Sequence, residues 1–165
     1  MIDREKLLRL LEKEKVAYTM EEHAPVFTME EMRQLHLPHE KDVAVNLFLR
    51  DDKKRNYYLV TMDGSAKTDL KAMRHILGSR PLSFASESDL KKILNLEKGH
   101  VTPFGILNDE EKKAEAVIDI RFMKRLTGVH PMENTATVFL DGSDLYSFLE
   151  KQGCRVRWAD FTQVL

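Results

Sequence analysis

Cys154 is the only cysteine in the chain, which excludes an intrachain disulfide and any CxxC metal or redox motif. No apolar run approaches membrane-spanning length, and the opening Met1-Ile2-Asp3-Arg4-Glu5-Lys6 lacks the pattern of a signal peptide. Neither sign of charge dominates. With 26 Lys and Arg against 27 Asp and Glu, the net charge is −1, so a nucleic-acid partner would have to be met by a local patch. Several catalytic signatures are also missing: there is no G-x-S-x-G, H-E-x-x-H, P-loop or G-x-G-x-x-G. His36 and His39 have a spacing that can suit a metal, but Pro38 lies between them and no third ligand is near. These absences point away from a metal site, a dinucleotide fold and a nucleophilic dyad. They leave a cytoplasmic enzyme or binding domain without cofactor or membrane.

The composition that remains is that of a folded chain: 42% of residues are apolar and 32% charged. The length, 165 residues, suits one domain with a substantial core, spanning residues 1–165. Residues 3–15 read as a helix capped by Asp3, with Leu7, Leu8, Leu10 and Leu11 on its inner stripe. Residues 16–20 read as a short strand. Thr28 and Glu31 form a capping box for a second helix that ends before Pro38. Residues 43–50 and 57–62 pair as a hairpin across a polar turn. Alternation puts Val43, Val45, Leu47 and Leu49 on one face, and Asn46 among apolar residues on the other.

Further along, residues 69–77 form a helix closed by Gly78, and Leu82-Ser83-Phe84 a short strand. Ser86 caps another helix, and residues 116–120 are a strand. Arg121, Lys124 and Arg125 cluster as a solvated face or a phosphate contact. Residues 134–140 read as a strand, Ser143 as the cap of a helix ended by Gly153, and 154–158 as a last strand. One hairpin among interleaved helices and strands predicts a single α/β domain with a mixed sheet.

Two loops carry the chemical interest. Gly99-His100-Val101-Thr102-Pro103-Phe104-Gly105 holds two glycines and a proline, so its backbone is constrained and its amides can face outward towards a carbonyl oxygen or an anion. Gly128-Val129-His130-Pro131 is a second such loop and fixes a histidine before a strand. Either loop by itself is also read as a tight connection. Cys154 has no activating neighbours in sequence.

Taken in order, Asn46-Leu47-Phe48-Leu49-Arg50-Asp51, Asp69-Leu70-Lys71, Leu82 to Ser86, Gly99-x-Val101-Thr102-Pro103-Phe104-Gly105 and His130-Pro131 with Asn134 to Thr137 form a pattern. It resembles the YbaK/prolyl-tRNA synthetase-associated domain family of trans-editing proteins, and most closely its free-standing alanyl-tRNA(Pro) deacylases. The likeness runs over nearly the whole chain. It implies a mixed, β-barrel-like sheet surrounded by helices, and hydrolysis of the ester between a wrong amino acid and tRNA. It also implies the aminoacyl-tRNA of tRNA(Pro) as substrate, prolyl-tRNA synthetase as a further partner, and no metal or cofactor. On this resemblance Gly99, His100, Val101, Thr102 and Pro103 form the catalytic loop. Val45, Asn46, His130 and Asn134 contact substrate, and the tRNA's own ribose hydroxyl helps activate water.

One position departs from the family pattern. Where it usually reads Lys-Asn-Leu-Phe-Leu, this chain has Val45-Asn46-Leu47-Phe48-Leu49. Valine supplies neither the charge nor the hydrogen bonds with which that lysine meets a phosphate. Three readings stand: a deacylase, a tRNA- or synthetase-associated module that has lost turnover, and an unrelated small-ligand role on the same fold. Lys67 and Lys71 are the lysines expected near that region.

Overall fold

The computed structural model describes residues 1–162. Helix α1 (Arg4–Lys13) starts where the Asp3 carboxylate accepts from the Lys6 amide at 2.9 Å, and its inner face buries Leu7 and Leu11 completely. Strand β1 (Thr19–Glu22) begins three residues later than the sequence suggests. Helix α2 (Met29–Gln34) carries the expected capping box: Thr28 Oγ1 accepts from the Glu31 amide at 3.1 Å and donates to Glu31 Oε1 at 3.2 Å.

The hairpin is formed by β2 (Val45–Asp51) and β3 (Tyr57–Met62). Its turn is closed by buried Asp51, whose carboxylate accepts from the amides of Lys53 and Arg55 and from Asn56 Nδ2. Helix α3 (Leu70–Leu77) is capped by Asp69 and ended by Gly78 at φ 65°. After β4 (Leu82–Phe84) comes α4 (Glu87–Asp89), which widens into a π-turn over Leu90–Leu94. The chain then runs through a 3₁₀ segment (Pro103–Asn108), β5 (Ala114–Asp119), β6 (Leu126–Val129), β7 (Ala136–Asp141), α5 (Gly142–Lys151) and β8 (Val156–Ala159).

The strands make two sheets. A five-stranded mixed sheet runs β4-β2-β3-β5-β8, with β5 parallel to both β3 and β8, and a three-stranded antiparallel sheet runs β1-β7-β6. The mixed α/β domain is as expected, but the sheet is not closed into a barrel. Val43 leaves the hairpin to bridge Gly128, and the Ala44 amide donates to Gly128 O at 2.9 Å, so the stretch read as one strand from Val43 divides between the two sheets. β6 takes in Gly128 and Val129, which the sequence places in a loop. It pairs because Gly128 lets the Phe139 ring and Val43 come close; a Cβ there would lie 2.7 Å from Phe139 Cε1. The α5 cap also differs from expectation: Asp141, not Ser143, accepts from the Ser143 and Asp144 amides. Ser143 Oγ accepts instead from the Lys124 amide at 2.8 Å.

Period-two alternation sorts the core. Phe48, Leu59, Ala116 and Ile118 face α1, α5 and the three-stranded sheet's Val138 and Leu140, while Leu49, Val60 and Val117 face α3 through Met73 and Leu77. A smaller cluster of Val26, Met32, Val43 and Phe139 packs α2 beside the point where the sheets part.

The basic cluster is consumed internally. Arg121 pairs with fully buried Asp119 at 2.8 Å and Arg125 pairs with Asp63, which leaves Lys124 as the exposed cation of the three. Burial works to raise the Asp63 carboxyl, but the Arg125 guanidinium and the Ser65 hydroxyl and amide hold it down to about 2. The unfolded carboxyl, near 3.8, therefore takes up its proton first as pH falls. The stability gained from this pair is complete above that value and is lost as pH drops towards 2. Acid titration of Tm should show this decline in the parent and a flatter one in Asp63→Asn.

Candidate functional site

Where the two sheets part, a cleft of about 480 Å³ opens. One wall is the segment into α2, with Val26, Phe27, Thr28, Met29 and Met32; another is Val43 to Asn46, entering β2. Gly99 and Val101 come from the first constrained loop and Lys98 from just before it, His130 from the second, and Phe84 from the end of β4.

The loops are tied together. Thr102, fully buried, donates its hydroxyl to the His130 carbonyl at 2.5 Å, and accepts from the Phe104 amide at 3.4 Å. Pro103 starts the 3₁₀ segment behind it. Gly99 sits at φ +82°, and the Phe27 ring lies against it so closely that a Cβ would be 2.5 Å from Phe27 Cδ1. His100 donates its amide to Glu97 O at 3.0 Å, whereas the Gly99 and Val101 amides meet no protein acceptor among the described residues.

His130 donates Nδ1–H to the Ala136 carbonyl at 3.0 Å, because a carbonyl only accepts; Nε2 is then the bare ring nitrogen. Burial pushes its pKa down, an effect only partly offset by that hydrogen bond and reinforced by His23 and His100, so the ring is neutral near pH 7. His23 stands 6.3 Å away, centroid to centroid. Its Nδ1–H donates to Ala24 O and its Nε2 accepts from buried Thr137, both at 2.8 Å. Asn46 Oδ1 accepts from buried Thr61 at 2.8 Å, and its Nδ2 has no protein partner among the described residues.

Of the residues singled out from sequence, Val45, Asn46, Gly99, Val101 and His130 share this cleft. Four do not line it. His100 is absent from its lining and donates its backbone amide to Glu97 O, and Thr102 and Pro103 are buried behind the loop they shape. Asn134 is also buried: its Nδ2 donates to Val26 O at 2.9 Å and so holds up the α2 wall. Lys67 and Lys71 do not line the cleft either; its cation is Lys98. His36 and His39 are exposed, and Cys154 is half-buried with its thiol pushed up by burial. Sequence reasoning missed Phe27, Phe84 and Lys98.

Chemically, the cleft holds no carboxylate and no thiol, and its hydroxyl, Thr28, serves the α2 cap. It offers free backbone amides, a neutral imidazole, a side-chain amide and one cation. Such a set positions and polarises a substrate rather than attacking it. Because Thr102 couples the two loops, Thr102→Val should lower stability by about 1–3 kcal/mol. Urea denaturation measures it, and a change under 0.5 kcal/mol, on the order of an ordinary surface substitution, would contradict that coupling.

Residues 23–148 match the family model described as the aminoacyl-tRNA editing domain. The prolyl-tRNA editing protein ProX of Acetoanaerobium sticklandii is 44% identical over 123 residues, covering 74% of this chain and 75% of that protein. The prolyl-tRNA synthetase associated domain-containing protein 1 of Mus musculus is 36% identical over 124 residues, covering 72% and 73% respectively. A crystal structure of a candidate trans-editing enzyme for prolyl-tRNA synthetase superposes with a TM-score of 0.67 over 97% of this chain and 98% of that one; at 16% identity the likeness is one of fold.

Proposed function

Because the chain belongs to the aminoacyl-tRNA editing domain family, we propose that it is a trans-editing deacylase, its residues 1–165 one editing domain, that frees tRNA(Pro) of wrongly attached alanine. The observation that carries this reading is a cleft without a nucleophile or an acid but with two unengaged amides, at Gly99 and Val101, on a constrained turn. An aminoacyl ester is already activated, so polarising its carbonyl and holding it near water accomplishes much of the reaction. Gly99 and Val101 N–H would receive the developing oxyanion. The tRNA's terminal ribose hydroxyl, adjacent to the ester, would orient the water and relay its proton, accepting it while passing its own to the departing ester oxygen. Asn46 Nδ2 would donate to the ribose end, and neutral His130 would border the side-chain pocket without adding charge.

Discrimination would then be by size. A pocket fitted to alanine rejects proline by clash, whereas the reverse selection rests on only about 1–3 kcal/mol per missing methylene. The work would be done in the cytoplasm beside prolyl-tRNA synthetase. A second reading, a tRNA-binding module without turnover, is favoured by one observation: a valine at position 45 on the cleft wall. Hydrolysis of Ala-, Ser- and Pro-charged tRNA(Pro), followed as release of labelled amino acid, decides between them. Rapid loss of alanine with proline at least about tenfold slower is expected. Release no faster than the uncatalysed rate from all three, with charged tRNA still bound, would favour the module.

A further inference from the structure

Five large apolar side chains stand exposed among the described residues: Met1, Phe27, Phe84, Ile120 and Met123. Two are aromatic, and both of these line the cleft, although they come from opposite sides of the hairpin in sequence. Phe27 is 64% exposed and Phe84 54%, so neither ring is held by burial in the core. Phe27 is nonetheless backed: its ring rests on the Gly99 backbone, which leaves the remainder of the ring open. The cleft's one cation, Lys98, is on the same lining. Its one ion-pair partner among the described residues, Glu87, is 3.6 Å away with both side chains more than 70% exposed, at 79% and 73%, a contact too solvated to hold the ammonium in place. No carboxylate lines the cleft to compete for it.

Exposed aromatic rings with a weakly paired, solvated cation on the same lining are the chemistry of an unpaired nucleotide: a base has a π-face to stack and a phosphate to pair. We propose that Phe27, Phe84 and Lys98 form a seat for the unpaired 3′-terminal nucleotide of the tRNA, with the base against the rings and its phosphate at the Lys98 ammonium. The proposal rests on the deacylase reading for the identity of the RNA, and adds how its end is held. It also gives a source for a phosphate contact that Val45 does not make. The seat reads a stacked face and a charge, not a base edge, so it holds the terminus without reading sequence. Selection among tRNAs then comes from elsewhere.

The test uses uncharged RNA, so it does not depend on turnover. A fluorescein-labelled RNA hairpin ending in single-stranded CCA is titrated with the full chain by anisotropy, beside the same hairpin with an abasic 3′-terminal residue. Removing the terminal base should weaken binding by roughly 5- to 100-fold. Phe84→Ala should cause a comparable loss on the CCA hairpin and none on the abasic one. Phe27→Leu, which keeps an apolar contact with Gly99, serves as the second ring variant and should behave alike. Lys98→Gln should reduce the dependence of log affinity on log salt by about 0.7, the value for one phosphate of a single strand. Equal affinity for the two hairpins, ring variants within twofold of the parent, or an unchanged salt slope in Lys98→Gln would each overturn the seat. Hydrolysis of Ala-tRNA(Pro) fails or succeeds separately: a chain that deacylates but ignores the terminal base refutes only this inference.

Discussion

Gly99→Ala should reduce deacylation by about 10²–10³-fold while lowering stability by only about 1–2 kcal/mol. Two effects act at once. At φ +82° an L side chain is strained, and its Cβ would stand 2.5 Å from Phe27 Cδ1 and 2.9 Å from Cε1. Phe27 is an exposed side chain and gives way, so the fold survives. The backbone relaxes towards negative φ, however, and that rotation turns the neighbouring amides from the substrate carbonyl. Losing one aligned oxyanion donor has a cost of that size in rate. Gly78→Ala is the matched control. It has a similar φ of +65°, nothing within 4 Å of the added Cβ, and a position at the end of α3. It should show the stability loss alone. Single-turnover hydrolysis beside urea denaturation separates the two, and Gly99→Ala working at the parent's rate would remove the loop from the mechanism.

Val45→Lys should act in the opposite direction, raising kcat/KM by about 10- to 100-fold, as one charge-assisted phosphate contact allows. The position tolerates the change because Val45 is half-buried and already on the cleft wall. Its neighbours Leu47 and Met62 cover the stem of a lysine whose ammonium reaches into the cleft. Affinity for tRNA should rise and fall off more steeply with salt. Lys98 gives the sharper version of the experiment. If both cations serve the same phosphate, Val45→Lys should gain more in a Lys98→Gln background than in the parent, and equal gains would mean two separate phosphates. A folded Val45→Lys protein with neither tighter binding nor faster hydrolysis would show that the valine is not a lost contact.

What the sequence by itself determined is local. The caps at Asp3, Thr28 and Ser86 form as read, because an N-cap is satisfied within three or four residues of itself. The hairpin of β2 and β3 forms for the same reason, and its alternation assigns Phe48 and Leu49 to opposite cores. The Gly99–Gly105 loop was legible too, since glycine and proline restrict φ whatever surrounds them, whereas in the second stretch Gly128 and Val129 belong to β6 and only His130 and Pro131 lie outside it. Tertiary structure decided the rest. Asn134, read as a substrate contact, supports Val26 across 108 residues, and Thr102 works from behind the loop by bonding to the His130 carbonyl. β6 became a strand only because β7 and Val43 were there to pair with it. Ser143 gave up the cap to Asp141 because the Lys124 amide needed its oxygen. Phe27, Phe84 and Lys98 carry no local mark of sharing a surface. Their meeting depends on the point where the sheets divide at Val43 and Ala44, and strand pairing between distant segments is set by burial and partners that no short window of sequence contains.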